Sequence, residues 1–365
     1  MVPETRIVPW QGLDTGWRER WLVLWGRSAA SPDLSPMWAD ALVDGHGLDV
    51  AELQVLIAGP PDAPQLLWPF LRRTRRQRLG LPIRWIEPLQ NAFCMHSGLL
   101  GSMDLTEACQ LILTTLRGWP RAWDWIDVDC VEAGSALEAA WRQAAAGHGC
   151  PLRAQSGERP PFVSAPGSFA EFLATRSRNL RKRSRGLLRE LQSDPTLQLR
   201  VFESAAEMPS FIDAVLQIEH QSWKHAAGQA ISSRDWELGF YQRLLGGFAP
   251  LGAVRGAILY IEDQPAAHSI DLLHDQHVYG LKTSYDARFA GRNVGILILV
   301  GMLARYFDGG CTEYDFLGTD EEYKLHWTST VRQHLSLFLY NPTAAGRFYR
   351  LLHEGTRRLR PSGPR

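Results

Sequence analysis

Residues 311–327 read CTEYDFLGTDEEYKLHW, and this stretch decides how the second half of the chain folds. It predicts a short strand that ends at Gly318 in an acidic turn. Asp315 lies inside the predicted strand, where a carboxylate is uncommon and needs either a partner or a chemical role. Tyr323 and Lys324 follow soon after the turn. The turn can therefore bring polar side chains back towards the end of the strand.

A second unusual stretch lies just upstream, between a predicted strand that ends at Tyr285 and an apolar helix that begins near Gly295. A glycine-containing loop that enters a helix leaves several backbone N–H groups unpaired, and together with the helix dipole these favour a phosphate group. The alternative is that Gly291 only makes the turn. The candidate anion-binding residues of this loop are Gly291, Arg292, Asn293, Val294 and Gly295.

The two stretches together, Y-D…N-V-G-I-L followed by Y-D-F-L-G-T-D-E-E-Y-K-x-x-W, resemble the GNAT-type acyltransferase module of the CelD/BcsL family. That family is related to the FemABX aminoacyltransferases. The resemblance covers 168–342 well and 1–165 only in general layout. It implies an α/β fold with mixed (α+β) sheets, built as two tandem GNAT-like lobes of which the first is degenerate. It also implies that the 291–295 loop holds the pyrophosphate of coenzyme A, although this chain has Asn293-Val294-Gly295 where the family more often has Ser-Pro-Gly.

The composition is that of a soluble globular protein, with 365 residues, 45% of them hydrophobic and 21% charged. The formal net charge is +0, so no whole-molecule field selects nucleic acid or membrane. The longest apolar run, 294–304, is far shorter than the ~20 residues that cross a bilayer, and the N-terminus has no apolar signal core. We therefore expect a cytoplasmic protein without a membrane span.

The five cysteines are scattered and include no C-x-x-C pair, which argues against a zinc site or a redox motif. We expect buried free thiols in a reducing compartment. The histidines are also dispersed, with no spacing typical of a metal site. The sequence therefore predicts no metal.

The pattern of elements divides the chain into two lobes. We expect a degenerate GNAT-like lobe over 1–150, a linker rich in Pro, Gly and Ser over 151–167, and the GNAT acyltransferase lobe over 168–365. In the last segment the predicted order is a strand, two helices, three strands joined by short turns, a helix and two strands, which is the GNAT order. A capping box at Ser168 opens the helix that precedes them, and we expect this helix to run to about Gln192.

The predicted helix 168–192 is strongly basic. Like charges three and four residues apart repel, so the helix is either a solvated face or a site for an anionic group. The candidate anions are an acidic sugar, a nucleotide-linked substrate, RNA, and acidic side chains of the other lobe. Arg181 and Arg185 are candidate substrate-binding residues. The seven cations that precede the acid Glu190 are Arg176, Arg178, Arg181, Lys182, Arg183, Arg185 and Arg189.

Direct acyl transfer needs an acceptor that loses a proton, a stabilised oxyanion and a stabilised leaving group. Asp315 could act as the base or orient the acceptor, Tyr323 could protonate a thiolate, and Lys324 could neutralise developing negative charge. The alternative is that Asp315 and Lys324 form a structural ion pair that supports the turn. Trp223 and Lys224 are further candidates for substrate binding, Trp223 as a wall of the acceptor cleft, with core packing as its alternative.

The sequence thus predicts an acyltransferase that uses acetyl-CoA or another acyl-CoA and transfers the acyl group directly to nitrogen or oxygen. By family analogy alone, the acceptor is a sugar or polysaccharide precursor or another small polar molecule. Two alternatives stay open. One is a Fem-like transferase that uses aminoacyl-tRNA, and the other is a catalytically silent accessory protein of polysaccharide synthesis.

Overall fold

The computed structural model describes residues 3–28, 30–45, 48–76, 82–92, 95–165 and 167–357. Its strands, in chain order, are β1 (Thr5–Pro9), β2 (Leu53–Ala58), β3 (Leu66–Arg76), β4 (Pro82–Pro88), β5 (Leu100–Gly101), β6 (Trp125–Glu132), β7 (Leu152–Ser156), β8 (Phe162–Ser164), β9 (Leu197–Phe202), β10 (Val254–Ile261), β11 (Gln264–His274), β12 (His277–Tyr285), β13 (Glu313–Asp315) and β14 (His334–Tyr340).

The α-helices of the same ranges are α1 (Trp17–Gly26), α2 (Pro36–Asp40), α3 (Leu105–Gly118), α4 (Ala136–Gly147), α5 (Phe169–Ala174), α6 (Arg178–Ser193), α7 (Met208–His220), α8 (Trp223–Ala226), α9 (Asp235–Phe248), α10 (Val294–Asp308), α11 (Glu322–Leu325) and α12 (Ala344–Arg357). Within the described part of the chain, none of these helices combines the length and the apolar character needed to cross a bilayer.

The chain forms two compact units, each with its own sheet. The first comprises residues 1–36, 49–158 and 333–365, and the second comprises residues 37–48 and 159–332. The first unit has an eight-stranded sheet of order β1-β2-β3-β4-β6-β14-β7, with β5 paired to β3. The second has a six-stranded sheet of order β8-β13-β12-β11-β10-β9. The predicted mixed α/β fold with two lobes is confirmed.

The core of the first unit lies between its sheet and helices α3 and α4. Alternate residues of β6, Ile126 and Val128, are buried there with Trp68 and Trp141. Helix α3 begins after Asp104, whose carboxylate accepts hydrogen bonds from two N–H groups of the first turn.

The boundaries of the units differ from the predicted ones. Strand β14 pairs with β6 and β7 in the first unit, although the sequence places all of 168–365 in the second lobe. The predicted linker 151–167 contains β7 and β8, which belong to different sheets. In addition, the sequence places Trp38 in the first lobe, whereas the structure places it in the second unit. There it packs against Phe240 of α9, with 5.4 Å between the ring centroids. Local patterns identify strands but do not say which sheet a strand joins, and this explains the difference.

The predicted antiparallel meander of the second unit is confirmed. Strands β10, β11 and β12 pair consecutively, and β9 pairs with β10. Two-residue turns join the three strands of the meander, and both central residues of each turn have positive φ, as type I′ hairpin turns require. These are Glu262 (49°), Asp263 (64°), Asp275 (49°) and Gln276 (63°).

The predicted helix 168–192 is wrong as a single element, because the chain breaks it into α5 and α6. Ser177 lies in the break, and its hydroxyl accepts a hydrogen bond from the N–H of Leu180 at 3.3 Å. This serine caps α6, which turns its leucines towards α10 and the core. The capping box at Ser168 is present as predicted and opens only the short helix α5.

Four of the five cysteines lie in the described residues, and none of these four forms a disulfide. Cys109, Cys150 and Cys311 are buried, whereas Cys130 is half-buried. Burial raises the pKa of the Cys109 thiol, which makes it unreactive at neutral pH. Cys94 lies outside the described residues.

Candidate active site

Strands β12 and β13 form a fork in the second unit. They pair in parallel through only three residues of each strand, and the last pair is Tyr279 with Asp315. Strand β12 then continues, so among the described residues the edge 280–285 has no strand neighbour on that side. Apart from the carbonyl of Thr283, which accepts a hydrogen bond from Lys224, its outward backbone groups have no strand partner in the described part of the chain and are open to a ligand. Gly280 stands where the fork opens, and a Cβ atom there would lie 2.5 Å from the hydroxyl of Tyr314.

The N-terminus of α10 follows directly from β12. A 3₁₀ turn (Ala287–Arg292) leads to Asn293, whose φ of 54° lies in the left-handed region. The N–H groups of Ile296 and Leu297 both donate to the carbonyl of Asn293 at 2.9 Å. Val294 and Gly295 therefore present first-turn N–H groups that have no acceptor within the helix. The loop 291–295 does enter a helix, as predicted.

Gly295 allows α10 to approach β12 closely. A Cβ atom at this position would lie 3.3 Å from the ring of Tyr285, the last residue of the strand. The glycine thus keeps the helix N-terminus directly beside the open strand edge.

The basic helix α6 contacts the same loop. A guanidinium nitrogen of Arg183 donates to the side-chain oxygen of Asn293 at 3.2 Å. Arg292 pairs with Asp194, immediately after α6, at 3.1 Å. Arg183 is exposed, as is its neighbour Lys182. Two features predicted separately, the glycine loop and the basic helix, therefore lie together, and both favour an anion.

The two arginines singled out on α6 have different surroundings. Arg181 donates to the carbonyl of Ala174 at 2.9 Å, which ties it to α5. Arg185 is exposed, and its carbonyl accepts a hydrogen bond from Arg189. The arginine that contacts the loop is Arg183, which the sequence did not single out.

Asp315 is held by an ion pair inside the unit. Its side chain is almost fully buried, with 1% of the residue exposed. One carboxylate oxygen accepts the N–H of Leu317 at 2.7 Å, and the other pairs with Arg332 at 2.6 Å. Arg332 also pairs with Glu313 at 2.7 Å. Both oxygens of the predicted base therefore hold the strand end and the turn in place.

Lys324 fastens the turn that follows. Its ammonium group is buried and donates to the carbonyls of Leu317 at 2.8 Å and Thr319 at 3.1 Å. It also pairs with Glu321 at 2.8 Å. Asp315 therefore pairs with Arg332, and Lys324 pairs with Glu321. The alternative in which these two residues pair with each other is not what the structure shows.

Aromatic side chains stand exposed around the fork. Trp223 is 53% exposed and Tyr323 is 43% exposed, although both are large apolar groups. The alternative of core packing for Trp223 is therefore wrong. Partial burial of the ring and the neighbouring Glu321 raise the pKa of Tyr323, so the phenol keeps its proton at neutral pH. Tyr323 also acts electrostatically on Tyr314, which places it near the fork.

Lys224 reaches the open edge of β12. Its ammonium group donates to the carbonyl of Thr283 at 2.6 Å. Burial and the neighbouring Lys282 lower the pKa of Lys224, against the opposing influence of acids that include Glu321. Helix α8, strand β12 and the turn before α11 therefore converge on one region.

A buried charged network surrounds Lys224, and the sequence analysis did not identify it. Lys282 of β12 forms an ion pair with Glu237 of α9 and donates to a backbone carbonyl of the loop before α9. Glu219 of α7 and His268 of β11 are fully buried, with 3.2 Å between Oε1 and Nε2. The sequence contains one feature that could have indicated this network. Glu219 lies on the apolar face of α7, where a carboxylate needs a partner.

The network fixes the charge of its members. Burial is the main cause that lowers the pKa of His268, so this imidazole is neutral at pH 7. Burial alone would raise the pKa of Glu219, but the hydrogen bond with His268 and the positive charge of Lys282 lower it. Glu219 is therefore a buried carboxylate beside two lysines.

A second buried cluster lies on the other face of the sheet. Asp271 accepts hydrogen bonds from Tyr306 at 2.6 Å, Ser269 at 2.8 Å and Tyr314 at 3.4 Å. Burial raises the pKa of Asp271 to about 6 in spite of these donors. The cluster anchors Tyr314 below the fork. Within the part of the chain that the structure describes, no group of three or more His, Cys, Asp or Glu side chains is placed to hold a metal ion.

A comparison with models of known protein families finds a match within the second unit. Residues 178–325 match the family model described as an acetyltransferase (GNAT) domain. The match lies wholly within the second unit and runs from α6 to α11, so it includes every element of the fork. No curated protein matches the sequence. The chain therefore carries a GNAT-type domain and is an acyltransferase.

Three solved structures share the fold over nearly the whole chain. FemX superposes with a TM-score of 0.63 at 11% identity, covering 96% of this chain and 99% of that one. A conserved protein of unknown function from Bacteroides thetaiotaomicron VPI-5482 gives 0.59 at 10% identity, covering 93% and 100%. The C-terminal domain (DUF2156) of a putative lysylphosphatidylglycerol synthetase from Agrobacterium fabrum gives 0.52 at 12% identity, covering 93% and 95%. Identities this low show the fold alone.

Proposed function

We propose that this protein transfers an acyl group from an acyl-CoA directly to a nitrogen or oxygen of a small polar acceptor at the fork between β12 and β13. One observation carries the proposal. The N-terminus of α10, which Arg183 of the basic helix α6 contacts, and the side chain of Lys224 lie beside the edge 280–285, and Tyr323 lies near Tyr314 at the fork.

The donor phosphates bind at the start of α10. The first-turn N–H groups of Val294 and Gly295, the helix dipole and the cations of α6 suit a pyrophosphate, which needs several donors and positive charge. Asn293 holds Arg183 against this loop. When bound, acetyl-CoA or another acyl-CoA supplies the thioester, and its pantetheine arm lies along the open edge of β12.

The acceptor lies against Trp223 and gives its proton to Lys224. The lowered pKa of this lysine leaves more of it uncharged at neutral pH than an exposed lysine would be. The acceptor nitrogen or oxygen forms a bond to the acyl carbon, and the carbon–sulfur bond breaks. Tyr323 gives its proton to the departing thiolate. No covalent enzyme intermediate forms. After the products leave, Lys224 loses the extra proton to solvent and the Tyr323 phenolate takes one up, which restores both groups for the next turnover.

Asp315 and Lys324 act as scaffold in this scheme. Both carboxylate oxygens of Asp315 and the ammonium group of Lys324 are already engaged in holding the turn. Their part in the reaction is to place Tyr323, which stands next to Lys324. The resemblance to the CelD/BcsL family supports a sugar or polysaccharide precursor as the acceptor.

A second candidate is a Fem-like transferase that takes its acyl group from aminoacyl-tRNA. The exposed arginines and lysine of α6 favour it, because such a row of cations binds a nucleic-acid backbone. Binding through phosphates alone would fall steeply as salt rises, whereas a coenzyme A site with directed N–H groups would lose less affinity.

Calorimetric titration with acetyl-CoA and with a mixed aminoacyl-tRNA separates the two donors. We expect saturable acetyl-CoA binding, and stabilisation of the fold by about 2.7 kcal/mol at 100 times Kd. Release of free coenzyme A can then be followed with a panel of amino sugars, nucleotide sugars and amines. Binding of aminoacyl-tRNA at physiological salt, with no binding of acetyl-CoA, would show that the donor assignment is wrong.

A further inference from the structure

Helix α12 presents a row of large apolar side chains to solvent. Phe348 is 48% exposed, Leu351 is 62% exposed and Leu352 is 40% exposed. Residues three and four positions apart share one face of a helix, so the three side chains form a single patch. Most other large exposed hydrophobic residues among those described either stand alone, as Val23 does at 50%, or belong to the fork.

The opposite face fixes α12 to the sheet of the first unit. Tyr349 is buried and packs on Trp125, with ring centroids 5.6 Å apart. His353 packs on the same tryptophan at 5.1 Å and is hydrogen-bonded to the hydroxyl of Tyr340 at 2.9 Å. The helix is therefore docked through one face, and its apolar patch is additional to what its packing requires.

The segment of sequence that carries the patch is rich in arginine. Of the two charged positions nearest to it, Arg347 lies on the helix beside the patch, and Arg350 pairs with Glu354 at 3.1 Å. Glu354 is the sole acid in the sequence from 344 to 365, whereas the whole chain has a net charge of +0. The same segment contains six arginines, Arg347, Arg350, Arg357, Arg358, Arg360 and Arg365.

We propose that the exposed face of α12 docks on the surface of an anionic lipid bilayer. A helix that combines a Phe and Leu stripe with flanking arginines lies in the plane of the interface, with the apolar side chains among the acyl chains and the guanidinium groups at the phosphates. The excess of arginine distinguishes this occupant from an ordinary protein partner, since an apolar protein groove would leave those charges without counterions.

Sedimentation with vesicles tests the proposal without knowledge of the acyl acceptor. The full chain is mixed with phosphatidylcholine vesicles and with vesicles that also contain phosphatidylglycerol, at low and at high salt. We expect binding to the anionic vesicles that weakens as salt rises, because the phosphate contacts are screened. Equal binding to both compositions, or no binding to either, would overturn the proposal.

Matched variants locate the contact. Phe348→Asp with Leu351→Asp should weaken vesicle binding by about tenfold or more, because the exposed halves of the two apolar side chains together contribute at least that factor when they leave water. Val23→Asp makes the same change at a similarly exposed position of α1 in the same unit and should leave binding unchanged. Circular dichroism and melting curves establish that each variant is folded.

A second double variant, which changes only charged residues, tests the proposal even if the double aspartate variant fails to fold. Arg347→Gln with Arg350→Gln keeps the apolar patch and should reduce binding to anionic vesicles while leaving the melting temperature nearly unchanged. Light scattering measures the mass of each variant in the absence of lipid. A dimer that the aspartate changes dissociate, found together with no vesicle binding, would show that a second copy of the chain covers the patch and would overturn the proposal.

Discussion

The ammonium group of Lys224 donates a hydrogen bond to the main-chain carbonyl of Thr283 at 2.6 Å, and so joins α8 to the open edge of β12. A lysine in this position is close to any group bound along that edge. Charged groups from four other elements also act on it, namely Glu219 of α7, Glu237 of α9, Lys282 of β12 and Glu321 of the turn. The position suits proton transfer better than the position of Asp315 does.

Replacing Lys224 tests that role. Lys224→Met should lower kcat by ~10²–10⁴ through loss of a general base, with little change in acetyl-CoA affinity. Lys224→Arg keeps the positive charge but gives no usable base, and it should be nearly as slow. In the parent enzyme kcat should rise with pH through a pKa below that of an ordinary lysine, and both variants should lose this limb. A folded Lys224→Met with normal kcat would exclude the role.

Two substitutions of Gly295, one charged and one neutral, test the proposed donor site. Gly295→Asp places a carboxylate at the proposed phosphate site and should abolish the stabilisation by acetyl-CoA. Gly295→Ala adds the same Cβ beside Tyr285 without the charge, so it should retain most of the binding. Calorimetry of the two variants separates electrostatic from steric effects. Equal loss in both would mean that helix packing, not phosphate recognition, explains the glycine.

Helix α6 can be tested by reversing charges on one element. Arg183→Glu should weaken acetyl-CoA binding by about tenfold at low salt, because the side chain contacts the donor loop. Arg189→Glu makes the same change six residues further along the helix and should have a much smaller effect. The difference between the variants should shrink as salt rises. Equal effects from the two positions would indicate only a general field.

The pair of Asp315 with Arg332 should govern stability. Arg332→Met leaves a buried carboxylate without its partner, which costs about 3–5 kcal/mol of unfolding free energy. Adding Asp315→Asn removes the uncompensated charge and should restore part of that loss. Urea unfolding measures both variants. If Asp315→Asn alone is stable, binds acetyl-CoA and is inactive, then Asp315 has a direct part in the chemistry.

Asp271 should make the fold less stable as pH rises. Its folded pKa of about 6 lies above the ordinary value of 3.8, so the folded state binds more protons than the unfolded state between these values. Its contribution to stability is therefore greatest in acid and falls by about 1 kcal/mol between pH 5 and pH 7. Asp271→Asn should remove this component. Unfolding by urea at the two pH values, compared between parent and variant, measures it.

Local signals in the sequence predicted the parts of the site that neighbours along the chain determine. The turn at Gly318 has a φ of 61°, and the loop that leads into α10 is where its glycines indicate. Partners distant in sequence were not predictable in this way. Arg332 lies 17 residues beyond Asp315, and His268 lies 49 residues beyond Glu219. Only the fold decides which of many charged residues meets a buried carboxylate.

The place of β14 has a consequence for how the protein is made. This strand lies between β6 and β7 in the first sheet, yet residues 159–332 precede it in the chain. A ribosome has therefore synthesised all of the second unit before it releases the strand that joins β6 to β7. The N-terminal half cannot complete its sheet during its own translation, and a fragment that stops at residue 332 lacks the strand that connects β7 to the rest of the sheet.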